Sequence, residues 1–230
     1  MKKILFLYKS KSLYIVIFYF LINKITKIFF KNKILAFKRN HKKLLLTKKI
    51  SEDYFSSNSF YFYYFLKKLK KDFSYLEIGS FEGSSALFVS NKFEFSKVYC
   101  VDCWIKTEEY SERLNFTNVE DNFDSNIKYN KNITKIKKTS DDFFKDNEIT
   151  FYVIYIDGYH YGPQVYTDCV NALKKLKKNG FLICDDFIWR FYEKIDENPC
   201  YAISKFLREN KNVLKVKKVS NSQIFLKKVK

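Results

Sequence analysis

The stretch "FYVIYIDGYHYGPQVYTD", residues 151–168, decides the fold. Its first six residues are apolar or aromatic without interruption, as a strand covered on both faces of a sheet must be. Asp157 follows, then a turn containing Gly158, Gly162 and Pro163, and then Val165, Cys169, Val170, Leu173 and Leu176 recur as one helical stripe. Strand, turn and helix in that order predict a βα unit of a parallel sheet. Pro163 suits the first helical turn, Lys174 to Lys178 complement the negative end, and Gly180 is placed to close the helix. The chain has five glycines, two histidines and two prolines, and this one turn holds two, one and one of them. Scarce residues gathered at a strand's carboxyl end are what a pocket needs, although an ordinary strand-to-helix connection would explain one such turn taken alone.

The same alternation runs outward from this unit. "FSYLEIG" (73–79), "KVYCVD" (97–102), "ITKIKK" (133–138), "FYVIYID" (151–157) and "FLICDD" (181–186) are five strand candidates separated by helical patterns. "NVLKVKKVSNSQIFLKKV" (212–229) reads as two more strands joined at Ser220-Asn221-Ser222, an antiparallel hairpin added to the sheet. The expectation is an α/β fold with a mostly parallel sheet of seven strands.

A chain of 230 residues that is 47% hydrophobic can fill the core of one such domain and carry an extension, which excludes disorder over the whole length. The net charge of +18 is unevenly spread: residues 1–50 hold fourteen Lys or Arg and no acid, whereas residues 51–230 carry 29 basic and 25 acidic groups. Lysine outnumbers arginine 39 to 4, the skew an AT-rich genome imposes. The basicity therefore belongs to an extension over 1–50, and the domain over 51–230 has little claim to nucleic acid as a partner. Five cysteines, an odd number with three in or beside apolar stretches, fit a reducing compartment. Cys100 and Cys103 form a C-x-x-C without the second pair a zinc site needs, so a buried strand cysteine and its neighbour is the better reading.

Within the extension, "LYIVIFYFLI" (13–22) is ten apolar residues long, about half of what a ~30 Å hydrocarbon core requires. Lys24, Lys27 and Lys31 then recur opposite Ile22, Ile25 and Phe29, which predicts a basic amphipathic helix. No small-residue cleavage site follows, which argues against a secretory signal. Three readings stay open: a cap packed on the domain or on a partner subunit, peripheral attachment to an anionic inner membrane surface, and a transmembrane anchor with snorkelling lysines.

Chemistry enters at "LEIGSFEGSSA" (76–86), an E-x-G-x-x-x-G pattern at the end of the first strand with a helix opening near Gly83. Glycines there let a ligand approach the backbone, and the helix start offers unpaired N–H groups. The G-x-G-x-x-G of dinucleotide sites is absent, which disfavours a pyrophosphate-bearing cofactor. Asp102 ends the second strand 23 residues after Gly79, where doubly wound folds place an acid on a ribose. Glu77, Gly79, Gly83 and Asp102 together point to a nucleoside-type cofactor.

From about residue 51 the chain resembles the class I S-adenosylmethionine-dependent methyltransferases. More narrowly it is similar to the group with "EIGS-x-x-G-x-S", "IDG-x-H" and "DD" motifs, related to the macrocin-type sugar O-methyltransferases. The matching segments are "LEIGSFEGSS", "YIDGYH", "CDDFIW" and "ENPCYAISKFL", while "KKTSDDFF" lacks the glycine often seen before the serine. The resemblance implies a Rossmann-like, doubly wound fold and S-adenosylmethionine as cofactor. By it, Glu77, Gly79, Ser80 and Gly83 hold the methionine part, Asp102 the ribose, and Ser140 and Asp141 the adenine.

In such a fold Asp157, Asp185 and Asp186 end two neighbouring strands, and three carboxylates on one rim repel one another. A hard divalent cation such as Mg²⁺ resolves that conflict and favours an acceptor alkoxide. Asp157, Asp185 and Asp186 are thus the expected metal ligands, with Asp157 and His160 the catalytic residues and His160 the general base. The plainer alternative has Asp185 or Asp186 capping a turn and Asp157 binding the cofactor's amino group. Trp189, Tyr159 and Tyr161 are candidates to line an acceptor pocket, or simply to pack. The expected function is transfer of a methyl group to a hydroxyl of a sugar, glycan or related small molecule on the cytoplasmic side of the membrane, with homo-oligomerisation left open. RNA methylation aided by the basic arm, and an inactive membrane-surface or glycan-assembly binding module, are the rivals.

Overall fold

The computed structural model describes residues 2–109, 116–220 and 222–230. The 151–168 unit is β4 (Phe151–Ile156) followed by α7 (Gly162–Lys175). β4 lies between β1 (Ser74–Ile78) and β5 (Leu176–Cys184), parallel to both. β2 (Lys97–Asp102) and β3 (Ile133–Lys137) extend the sheet on the far side of β1, also parallel. β6 (Leu214–Val219) and β7 (Ile224–Lys228) form the antiparallel hairpin, β7 pairing with β5. The resulting order, β3-β2-β1-β4-β5-β7-β6, reverses direction between β1 and β4. At that point two crossover connections leave to opposite faces and open a crevice at the strands' carboxyl ends.

Alternate side chains of the central strands feed two separate apolar layers. Leu76, Ile154 and Leu182 join one with α6 (Ser140–Asp146), α7 and α8 (Pro199–Glu209). Tyr75, Val153, Tyr155 and Ile183 join the other with α3 (Ser59–Leu66) and α4 (Ser84–Lys92). A period of two with both sets apolar is the mark of a sheet buried on both faces. A further helix, α5 (Val119–Ile127), packs Phe123 beside the ring of Trp104.

Two local expectations are corrected. The helix after Pro163 stops at Lys175, and Leu176 turns directly into β5, pairing with Phe151, so Lys177, Lys178 and Gly180 belong to a strand and Gly180 closes nothing. A register irregularity next to that pair and a left-handed Asn179 (φ 65°) absorb the residues that read as a lysine-rich helix end. The hairpin turn is closed by Ser220 N donating to Gln223 O at 2.8 Å, and Asn221 of the expected turn lies outside the described residues.

The extension forms α1 (Lys2–Lys9) and a 33-residue helix, α2 (Leu13–Leu45). One side of α2 is fastened to the domain: Tyr19 OH donates to Val216 O at 3.0 Å, and Asn23 Nδ2 to Val219 O at 2.8 Å. Ser12 and Ser204 share a hydrogen bond. Near its other end His41 is buried against the rings of Phe55 and Phe88, with Nε2 3.1 Å from Ser84 Oγ. The expected division of faces changes accordingly: Ile22 packs on the core, while Ile25 and Phe29 are exposed, so part of the apolar surface faces away from the protein.

Candidate active site

The β1–α4 loop is built around two glycines. Gly79 takes φ 83°, and a Cβ there would lie 2.1 Å from the Asp157 carbonyl oxygen; Gly83 takes φ 85° at the start of α4. Only glycine meets both demands without strain. Asp102 braces this loop from β2, its Oδ2 accepting from Ser80 N (2.8 Å) and Phe81 N (2.9 Å) and its Oδ1 from Trp104 N (2.7 Å). Burial raises the Asp102 carboxyl, and those N–H groups oppose the rise. The acid expected on a ribose is thus also the anchor of the glycine loop.

Behind the loop Glu77 is fully buried in β1, and burial pushes its carboxyl up to about 8. Its Oε2 accepts from Tyr75 OH at 2.8 Å, and the hydroxyls of Ser85 and Ser80 also oppose the rise. Ser140 and Asp141 open α6 at the end of β3, where Gln164 Nε2 reaches Ser140 Oγ (3.2 Å), Asp141 Oδ1 (3.3 Å) and Asp168 Oδ1 (3.1 Å). Asp168 is buried on the inner face of α7, which raises its carboxyl to about 6. A cleft of about 320 Å³ is lined by Gly79, Asp102, Ser140, Asp141, Asp157 and Thr107, among others.

A second cleft, of about 290 Å³, lies on the other side of Gly79 and Asp157, walled by Tyr54, Phe55, His160, Asp185, Asp186 and Trp189. Gly79, Glu109 and Asp157 line both clefts, so the two meet. Of the expected aromatic residues, Trp189 stands in the second cleft with its ring 5.3 Å from that of His160. Tyr159 lines the first, and Tyr161 stacks on Tyr159.

The carboxylates at the rim divide into two roles. Asp157 Oδ1 and Asp186 Oδ2 approach His160 Nε2 at 3.5 and 3.3 Å, and ligand atoms of the three lie within 4.8 Å of one another. Asp185, the third acid expected to bind the metal, is not part of that group. Its oxygens accept from Ser222 Oγ (2.8 Å), Gln223 Nε2 (2.7 Å), its neighbour's backbone N–H and the Tyr155 hydroxyl, tying β5 to the hairpin. Asp186, in contrast, takes φ 48°, an arrangement that costs a non-glycine residue roughly 1 kcal/mol and turns its carboxylate towards His160.

Tyr155 OH also lies 2.8 Å from Asp157 Oδ2, so one phenolic proton serves two carboxylates. Burial first, then the charge of Asp185, raises Asp157 to about 7. Burial likewise leads in raising Asp186 to about 6. His160 is held by Glu109, whose Oε1 accepts from His160 N at 2.9 Å and whose Oε2 lies 3.1 Å from Nδ1. Burial works against its imidazolium, but Asp157, Glu109 and Asp186 outweigh burial and hold its pKa well above the usual range.

The chemistry of this rim suits a divalent cation: two carboxylate oxygens, partly desolvated, beside an imidazole whose Nε2 faces the same point. The orphaned Thr107 Oγ1 in the first cleft, beside the side-chain-free backbone of Gly79, fits a polar ligand that approaches the glycine loop. Glu109, Gln164, Tyr155 and Gln223 were missed by the sequence reading. Glu109 sits in a polar run without periodicity, Tyr155 stands just before the Asp157-Gly158 motif, and Gln164 and Gln223 carry no motif.

Residues 76–187 match the family model of a methyltransferase domain. No curated protein matches the chain by sequence. Among solved structures, a Staphylococcus aureus protein assigned as a caffeoyl-CoA O-methyltransferase superposes with TM-score 0.59 at 11% identity, over 90% of this chain and 99% of that one. A Streptococcus mutans protein assigned as a methyltransferase, solved with SAH, gives TM-score 0.55 at 16% identity, over 73% and 95%. The MycE methyltransferase of the mycinamycin pathway, solved with Mg, SAH and mycinamycin VI, gives 0.57 at 12% identity, over 84% of this chain and 54% of that one. The fold is therefore the Rossmann-like sheet of the methyltransferases, with the antiparallel hairpin at its edge.

Proposed function

We propose that the protein is an S-adenosylmethionine-dependent O-methyltransferase acting on a hydroxyl of a sugar, glycan or related small molecule. The observation that carries this reading is that two clefts meet at Gly79, Glu109 and Asp157, one able to take a methyl donor and the other an acceptor. S-adenosylmethionine would supply a methyl group from its sulfonium carbon. Gly79 and Gly83 let it approach the loop backbone, with Glu77 and Ser80 the proposed partners of its amino-acid end, and Ser140 and Asp141 flank the adenine side. Asp102 keeps the loop in shape and stands at the ribose position. Neighbours solved with SAH, one of them with Mg, support the choice of cofactor and of cation.

Asp157 and Asp186 would hold Mg²⁺, which would lower the pKa of an acceptor hydroxyl and leave His160 free to act as the base. Protonated between three carboxylates, His160 can take up no proton. Once Asp157 and Asp186 are neutralised, two of the three charges that hold the ring as imidazolium are gone, and with Glu109 still orienting the ring Nε2 can accept the hydroxyl proton. Tyr54, Phe55 and Trp189 shield the acceptor from water. Cys100, Cys169, Cys184 and Cys200 are buried free thiols, which supports placing the reaction in the cytoplasm.

Calorimetry with S-adenosylmethionine and SAH, followed by transfer of labelled methyl to a panel of sugar and phenolic hydroxyls, tests the reading. Binding of both and label in an ether linkage are expected. Absence of cofactor binding overturns the proposal, and label on nitrogen overturns its acceptor class.

A further inference from the structure

The face of α2 turned away from the domain is apolar over its first half and basic over its second. Ile17, Leu21, Ile25 and Ile28 follow one another at helical spacing with Phe18 and Phe29 beside them, and all six are between 50% and 77% exposed. At about 100° per residue they fall within one arc of roughly 120°, over about 18 Å of helix. Continuing along the same arc, Leu35, Arg39, Lys42 and Lys43 form a shallow basic hollow with Lys38 and Leu46. A soluble surface rarely leaves such a patch open, and its arrangement says what covers it.

We infer that α2 docks the protein on an anionic lipid bilayer, its first half lying among the acyl chains of one leaflet and its basic half at the phosphate level. Charge selects this occupant. Residues 1–50 carry fourteen cations and no acid, so two copies packed parallel would set like charges face to face, and antiparallel packing would lay each basic half on an apolar one. An anionic surface gains from every cation, at about fivefold in partitioning for each. Although α2 is long and apolar enough to cross a membrane, its other side is fixed to the sheet edge. Tyr19, Asn23 and Thr26 are hydrogen-bonded to Val216, Val219 and Lys218 of β6, so the helix lies in the interface with the domain on one side and lipid on the other. The inference goes beyond the proposed reaction, and its failure would leave cofactor binding untouched.

Flotation of the full chain with vesicles tests it, using phosphatidylcholine alone and with about 30% phosphatidylglycerol at about 0.1 M salt. The protein is expected to rise with the anionic vesicles and at least tenfold less with the neutral ones. Leu21→Glu/Ile25→Glu/Ile28→Glu, all at exposed positions, should abolish flotation while leaving the melting curve in place. Arg39→Gln/Lys42→Gln/Lys43→Gln should lower partitioning to the anionic vesicles about 100-fold, at about fivefold per charge. Failure of the unaltered chain to float overturns the inference. So does a dimer that the triple glutamate variant dissolves, which would make a second copy the occupant. Release from cell membranes by detergent but not by alkaline carbonate overturns it in favour of a spanning helix.

Discussion

Glu109 grips His160 at two points, its Oε1 accepting the backbone N–H at 2.9 Å and its Oε2 lying 3.1 Å from Nδ1. The two residues are 51 positions apart, and the contact fixes which ring nitrogen faces the acceptor cleft. Glu109→Gln keeps the shape but removes the charge. Turnover is expected to fall roughly 10²-fold, the usual worth of a positioned acid–base group, with the melting temperature little changed. The distinguishing readout is the pH profile: with one carboxylate gone, the ionisation assigned to His160 should move down. An unchanged profile would make Glu109 merely structural.

The two histidines of the chain should titrate on opposite sides of the ordinary value. Burial among Phe55 and Phe88 lowers His41 to about 4, whereas carboxylates hold His160 well above 6.5. For His41 the folded state binds its proton less readily than the unfolded chain. Its contribution to stability is therefore complete above about pH 6.5 and is lost as pH falls from there towards 4, by about 3 kcal/mol. Ring-proton NMR checks the pair, and urea unfolding at pH 7 and pH 4.5 checks the sign. Adding Mg²⁺ should move the high titration down and leave the low one alone.

The adjacent acids Asp185 and Asp186 should separate cleanly under mutation. Asp186 Oδ2 faces His160 with Asp157, whereas Asp185 is bonded to Ser222, Gln223 and Tyr155. Asp186→Asn is expected to abolish Mg²⁺ binding measured by calorimetry with little loss of stability. Asp185→Asn should keep binding within a few-fold and cost roughly 1–3 kcal/mol, because buried donors lose a charged acceptor. The reverse outcome would restore Asp185 as the ligand.

This division was beyond the sequence for a physical reason. Runs rich in apolar residues placed β1, β2 and β4, and the glycines and acids at their ends placed the crevice, because burial on both faces leaves few other patterns. Asp185 and Asp186 differ through partners from Tyr155 of β4 and from the hairpin, 37 and 38 positions away for Ser222 and Gln223, and through a left-handed backbone at Asp186. The end of α7 was misread because lysines 174–178 suit a helix terminus and an exposed strand start equally well. Pairing of Leu176 with Phe151 decides between them, and that contact has no local signal.

Lys218 shows how the extension is stitched to the domain at an energetic cost. Its side chain is buried between β6 and α2, with Nζ 3.3 Å from Thr26 Oγ1 and 5.0 Å above the ring of Tyr61, and without a carboxylate partner among the described residues. Burial, aided by the charge of Lys27, lowers it from 10.5 to about 8. Between about pH 8 and 10.5 the folded chain carries a neutral amine while the unfolded chain stays protonated, so stability should rise with pH across that window. Below pH 8 the buried ammonium weighs against folding in full. Lys218→Met keeps the stem and removes the charge, so it should raise the midpoint of unfolding at pH 7 by the equivalent of roughly 1 kcal/mol and flatten the rise between pH 8 and 10.5. Denaturation at pH 7, 8.5 and 10 measures both, and a variant that is less stable at pH 7 would show that the bond to Thr26 outweighs the cost of burying the charge.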